Sequence, residues 1–136
     1  MAERSSAVDK SVERCNLCPR RCNASRVEKT GYCSVSERIT VARASLHMWE
    51  EPCISGVAGS GTVFFSGCSL GCVYCQNAEI SRGKTGKEIS EQRLVRICFE
   101  LKERGAHNIN LVTPSHYAPM IRRALLPVKS RLGIPI

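Results

Sequence analysis

The sequence predicts an α/β fold, the opening of a parallel α/β domain preceded by a cysteine-rich irregular extension. Three observations predict it. Thr62–Ser66 is a short β-branched and aromatic run, the composition of a buried strand. Residues 90–105 carry apolar side chains at helical spacing, and residues 107–113 form a second strand-like run closed by Pro114. Strand, helix and strand in that order form the repeating unit of a parallel sheet.

Taken along the chain, residues 1–13 are polar and are expected to be mobile. Residues 14–60 form the extension and linker, and residues 61–136 the α/β portion. Residues 39–48 have Ile39, Val41, Ala44 and Leu46 as apolar points and read as extended chain or loop. The glycine-rich stretch Gly56–Gly61 reads as a turn feeding a strand. Its order matches neither a P-loop nor a dinucleotide fingerprint. Residues 76–89 read as a polar connection. Ser90 is placed to N-cap a helix with Glu91 in its first turn. Leu94, Ile97, Cys98 and Leu101 share one face, Glu100 and Arg104 are spaced to pair outside, and Gly105 ends the helix. A second helix is expected near Pro119, kinked or stopped at Pro127, and Gly133–Ile136 reads as the approach to a third strand. An eight-unit barrel takes roughly 250 residues. The 136 residues here hold about two units, so the chain is expected to be a fragment, a truncated product or half of an assembly.

Nine cysteines, an odd number, argue against a fully paired disulfide framework. The N-terminus lacks the apolar run of a signal peptide, and no stretch has the apolar length of a membrane span. The expected compartment is a reducing cytoplasm, where clustered cysteines serve metals or catalysis more often than bridges. The net charge of +8 is dispersed, with Arg20–Arg21 and Arg122–Arg123 as the only adjacent basic pairs. Such a distribution suits a solvated surface or an anionic cofactor better than a nucleic-acid groove.

Two cysteine constellations carry the chemistry. Cys68, Cys72 and Cys75 stand at C-x3-C-x2-C, directly after the first predicted strand, with Tyr74 before the last cysteine. Three thiolates and no fourth leave one iron of a 4Fe–4S cluster open for a ligand, so this spacing suggests chemistry and not only electron storage. Cys15, Cys18, Cys22 and Cys33 form a second set, suited to a structural zinc site or a closed iron–sulfur site. Cys98 and Cys53 read as structural. In His47–Pro52, Trp49 is expected to anchor against the core with Glu50 and Glu51 facing water, the alternative being a site role for His47 or a carboxylate. His116 and Tyr117 follow the second strand, where parallel domains place active-site groups or simply start a helix.

The run from Gly67 through Asn77 resembles the cluster signature of the radical S-adenosylmethionine (SAM) superfamily. Together with Cys15-x2-Cys18-Pro19-Arg20-x-Cys22, His47-x-Trp49-Glu50-Glu51-Pro52 and Asn108–Pro114, it is similar to a subgroup akin to pyruvate formate-lyase activating enzyme. The resemblance covers residues 15–136. It implies a partial (β/α)6 barrel, here truncated after about two units, and a 4Fe–4S cluster on Cys68, Cys72 and Cys75. It implies that the open iron binds SAM and that reductive cleavage gives a 5′-deoxyadenosyl radical for hydrogen abstraction, in activating enzymes from a glycine of a partner protein. Tyr74 would lie against the adenine, Asn77 would be a further cofactor-binding residue, and Thr113 and Pro114 would lie near the methionine moiety, although the glycine-glycine-glutamate run of many members is absent. An electron donor such as flavodoxin or ferredoxin and a protein substrate are implied partners. Two other readings compete: a catalytically inactive iron–sulfur protein or scaffold, and a zinc-dependent nucleic-acid module built on Cys15–Cys33.

Overall fold

The computed structural model describes residues 14–83 and 85–136; the N-terminal stretch expected to be mobile lies outside the described residues. Four strands form a single sheet in the order β3-β1-β2-β4: β1 (Thr40–His47), β2 (Ser60–Phe65), β3 (Lys87–Glu88) and β4 (Ile109–Val112). The helices are α1 (Pro52–Ser55), α2 (Ala78–Ser81), α3 (Glu91–Glu103), α4 (Ala118–Leu125) and α5 (Lys129–Leu132), with 3-10 turns at Ser115–Tyr117 and Leu126–Val128.

β2 and β4 are parallel, Gly61 opposite Ile109 and Phe64 opposite Val112, with α3 as the crossover between them. β1 runs antiparallel to β2, from Val41 opposite Phe65 to His47 opposite Ser60, and is bulged between Val41 and Arg43. β3 adds antiparallel to the start of β1. The sheet is therefore mixed: half of its strands come from segments that read as loop or connection, and it spans the expected boundary at residue 60. These two strands were hard to see because β1 is only partly buried along most of its length and β3 is two exposed residues held by pairing. Residues 133–136 form no strand, but the Pro135 carbonyl accepts from the Ile109 amide at 2.8 Å, on the edge where a further strand would join.

Helix α3 forms for the reasons its sequence gives. The Ser90 side chain accepts from the Arg93 amide at 3.1 Å, Leu94, Ile97, Cys98 and Leu101 are buried, and the chain turns at Gly105 with φ +100°. The expected Glu100–Arg104 pair is replaced by Arg93, seven residues back, which holds both Glu100 oxygens at 2.5 and 3.1 Å. Pro127 stops the second helix by a 3-10 turn, as proline within a helical run must. The core joins Val63 and Phe65 of β2 to Leu94 and Leu101 of α3, and to Tyr117 and Ile121 beyond β4. Among the described residues no helix is long and apolar enough to cross a membrane.

Candidate metal centre

The loop after β2 carries Cys68, Cys72 and Cys75 at the carboxyl end of the parallel pair, where α/β sheets place their ligands. Cys72 is exposed and the other two are half-buried; none is in a disulfide. Gly67 and Gly71 have φ of +82° and +66°, which bends the chain twice within the motif. The Leu70 amide donates to Cys68 Sγ at 3.4 Å. The Cys75 amide donates to the Cys72 carbonyl at 3.3 Å, so the last two cysteines share one turn. As a donor set, three free thiols on one short loop fit an iron–sulfur cluster. Among the described residues, however, no group of three or more His, Cys, Asp or Glu side chains is gathered into a metal-holding arrangement.

The cysteine-rich segment packs directly behind this loop. Arg20 donates to the Ser69 carbonyl at 2.8 Å and the Leu70 carbonyl at 3.1 Å, and its guanidinium lies over the Tyr32 ring at 4.2 Å. A methyl group on Gly67 would collide with the Cys33 carbonyl, so only glycine allows that close approach. Cys15 and Cys33 are buried, Cys18 is half-buried and Cys22 is exposed. The backbone amides of Tyr32 and Ala24 hold the Cys22 thiol below its usual range, with Arg26 adding to the effect. Burial pushes the Cys33 thiol up.

Arg26, which composition and spacing did not single out, joins the two constellations. It is 0% exposed. Its Nε and Nη2 donate to the Ser36 carbonyl at 3.0 and 2.5 Å, and its Nη1 donates to the His116 carbonyl at 2.6 Å and lies 4.0 Å from Cys15 Sγ. His116 in turn reaches the Ser66 carbonyl through Nε2 at 2.9 Å, one residue before Gly67. Burial lowers the His116 pKa, opposed in part by that carbonyl, and raises the Tyr117 pKa. His116 and Tyr117 are thus packed groups beneath the loop, their rings 4.4 Å apart. No sequence signal marks a lone arginine for burial; its place between Cys22 and Cys33 is the only hint.

Of the residues expected on the cofactor side, Tyr74 is 87% exposed on the loop, and Asn77 is half-buried at the start of α2. Thr113 ends β4 beside Phe65 with φ +54°, a costly conformation for a β-branched residue. Its hydroxyl donates to the Val112 carbonyl at 2.8 Å, and Pro114 follows at the start of the 3-10 turn. His47 lies elsewhere. Its register opposite Ser60 puts it at the far end of β2 from the cysteine loop, about 17 Å away at ~3.3 Å per residue. There Glu50 is half-buried and accepts from Asn110 at 3.2 Å. Trp49 does not anchor against the core: it is 89% exposed, because Met48–Glu51 turns outward between β1 and α1.

Residues 54–126, more than half of the chain, match the family model described as a 4Fe–4S single cluster domain. An uncharacterized protein of Methanocaldococcus jannaschii is 37% identical over 68 residues, which cover 50% of this chain and 19% of that protein. The chain thus matches about a fifth of the length of that relative. No solved structure matches.

Proposed function

The chain belongs to the 4Fe–4S single cluster domain family, and from that premise we propose that it is the cluster-bearing part of a radical SAM enzyme of the activating-enzyme type. One observation carries the reading: the loop after β2 offers the three thiols Cys68, Cys72 and Cys75, and the next parallel strand ends beside it. Cys68, Cys72 and Cys75 would hold three irons of the cluster and would leave the fourth open to the amino and carboxylate groups of SAM. When bound, the cluster supplies the electron for reductive cleavage of SAM, which yields the radical for hydrogen abstraction.

The residues of the chain do the positioning. Gly67 and Gly71 let the loop curl, and Arg20 fixes its outer carbonyls. Tyr74 is exposed, as an adenine-facing side chain on the open side would be. Thr113 and Pro114 shape the end of β4, where the methionine moiety would lie. The strained backbone at Thr113 supports this, because strain of that kind gathers at ligand sites. Within this reading the β2–α3–β4 unit is the beginning of a partial barrel, and the donor of electrons is a small redox protein such as flavodoxin or ferredoxin. A glycine of a partner protein is the hydrogen donor that fits the activating-enzyme type.

The test is anaerobic reconstitution with iron and sulfide, then electron paramagnetic resonance of the reduced protein with and without SAM. The expected result is a reduced 4Fe–4S signal that shifts on adding SAM and is absent in Cys72→Ala. A cluster signal indifferent to SAM would overturn the SAM chemistry and leave an iron–sulfur binding protein.

A further inference from the structure

We propose that Cys15, Cys18, Cys22 and Cys33 bind a zinc(II) ion, separate from the cluster of the Cys68 loop, with Arg26 as its buried counter-cation. The segment lies outside the residues matched by the cluster family, so the inference is independent of it.

The argument begins with Arg26. A guanidinium cannot be deprotonated inside a protein, and an uncompensated buried charge is strongly destabilising. Arg26 is 0% exposed, its hydrogen bonds go to neutral carbonyls and one sulfur, and its guanidinium lies 5.3 Å from the centroid of the neutral Tyr117 ring. Among the described residues no carboxylate forms an ion pair with it. Of the groups in hydrogen-bonding reach, the one that could carry a negative charge is Cys15 Sγ, at 4.0 Å. Four neutral thiols would leave the cation without a counter-charge. Four thiolates on a divalent ion carry a net charge of about −2 and supply it.

The backbone is folded for thiolates to converge. The Cys15 amide donates to the Ala24 carbonyl at 3.1 Å and the Asn23 amide to the Cys15 carbonyl at 3.0 Å, closing residues 15–24 into a loop. The Arg21 amide turns back to the Cys18 carbonyl at 3.0 Å. Arg21, Asn23 and Ser34 have φ of +43°, +51° and +65°; these non-glycine residues flank Cys22 and Cys33, and each is strained there. The Cys22 and Cys33 sulfurs face one point: a methyl group on Gly31 would lie 3.6 and 3.4 Å from them. Gly31 keeps that space clear. Among the described residues the sulfurs do not stand at metal-holding distances; Cys22 is exposed and Cys18 half-buried, so binding the ion requires these two to move toward Cys15 and Cys33. Soft thiolates in a C-x2-C turn select zinc over harder cations.

The experiment uses the full chain carrying Cys68→Ser, Cys72→Ser and Cys75→Ser, so that the cluster loop binds nothing. Elemental analysis is expected to find about one zinc per chain. Cobalt(II) exchanged for zinc is expected to show thiolate charge-transfer bands and the intense visible bands of tetrahedral coordination. Adding Cys18→Ser and Cys33→Ser is expected to remove the zinc. Arg26→Met is expected to weaken zinc about tenfold or more, with Arg26→Lys restoring part of the loss. If the added Cys18→Ser and Cys33→Ser substitutions prevent folding, cobalt titration of the chain carrying only the three loop serines still decides. Absent thiolate bands, zinc content unchanged by the added substitutions, or iron with sulfide retained in place of zinc would each overturn the proposal.

Discussion

His116 Nε2 meets the Ser66 carbonyl at 2.9 Å, while Arg26 sits beside the residue and holds its carbonyl. Burial, the largest cause, lowers the His116 pKa below 6.5, and the Arg26 charge acts in the same direction. The unfolded chain therefore binds more protons than the folded one between the folded pKa and 6.5. Stability from this group is present above pH 6.5 and is lost as pH falls through that window. Urea unfolding midpoints should fall from pH 7.5 to 5.5, and His116→Gln should flatten the slope in that range. An unchanged slope would mean that other groups dominate. Cys98 makes a second case. Burial pushes its thiol up to about 11, so it stays a neutral apolar side chain in the core of α3. Cys98→Ser places a hydroxyl there without a designed partner and should cost about 1–3 kcal/mol. Cys98→Ala should cost less, and equal unfolding midpoints for the two would contradict the apolar reading.

At the scale of elements, α3 was legible because its period, its Ser90 cap and its terminal glycine all agree. The cysteine loop was equally legible as a donor set, since its spacing is a local property of the chain. β1 was not. Its alternation is broken by a bulge, and it gains its hydrogen bonds from β2, thirteen or more residues on. The turns around Cys22 and Cys33 were also hidden, because positive φ is carried there by Arg21, Asn23 and Ser34 and not by glycine. Gly67 is the element-scale test, because it alone lets the Cys33 backbone pass beneath the cluster loop. Gly67→Ala adds a methyl against the Cys33 carbonyl and strains a backbone at φ +82°. We expect a loss of about 1–3 kcal/mol and a lower iron content after reconstitution than in the parent. Parent-like iron and stability would mean that the two segments separate at little cost.

Across the whole molecule, charge and exposure around the loop predict how electrons would arrive if the proposed function holds. The chain carries +8; Arg20 hydrogen-bonds the cysteine loop, exposed Arg21 follows it in sequence, and exposed Arg82 caps the short helix that follows the loop and carries Glu79. Leu70, Val73 and Tyr74 project from the loop at 67%, 91% and 87% exposure. An apolar centre with a basic rim suits a transient redox partner of acidic surface, since charge steers the encounter and the apolar contacts set the orientation. Steering of this kind is screened: the Debye length falls from about 10 Å at 0.1 M salt to about 3 Å at 1 M. Reduction by an acidic flavodoxin or ferredoxin should therefore slow about tenfold or more over that range. Arg21→Glu and Arg82→Glu should weaken the salt dependence and slow reduction at low salt. Reduction by photoreduced 5-deazariboflavin, a small uncharged donor, should change little with salt or with either substitution. Stopped-flow traces of cluster bleaching measure both donors on the same sample. If the protein donor is as insensitive to salt as the small one, the basic rim plays no part in docking. If both slow together, the salt acts on the cluster loop itself and not on the encounter.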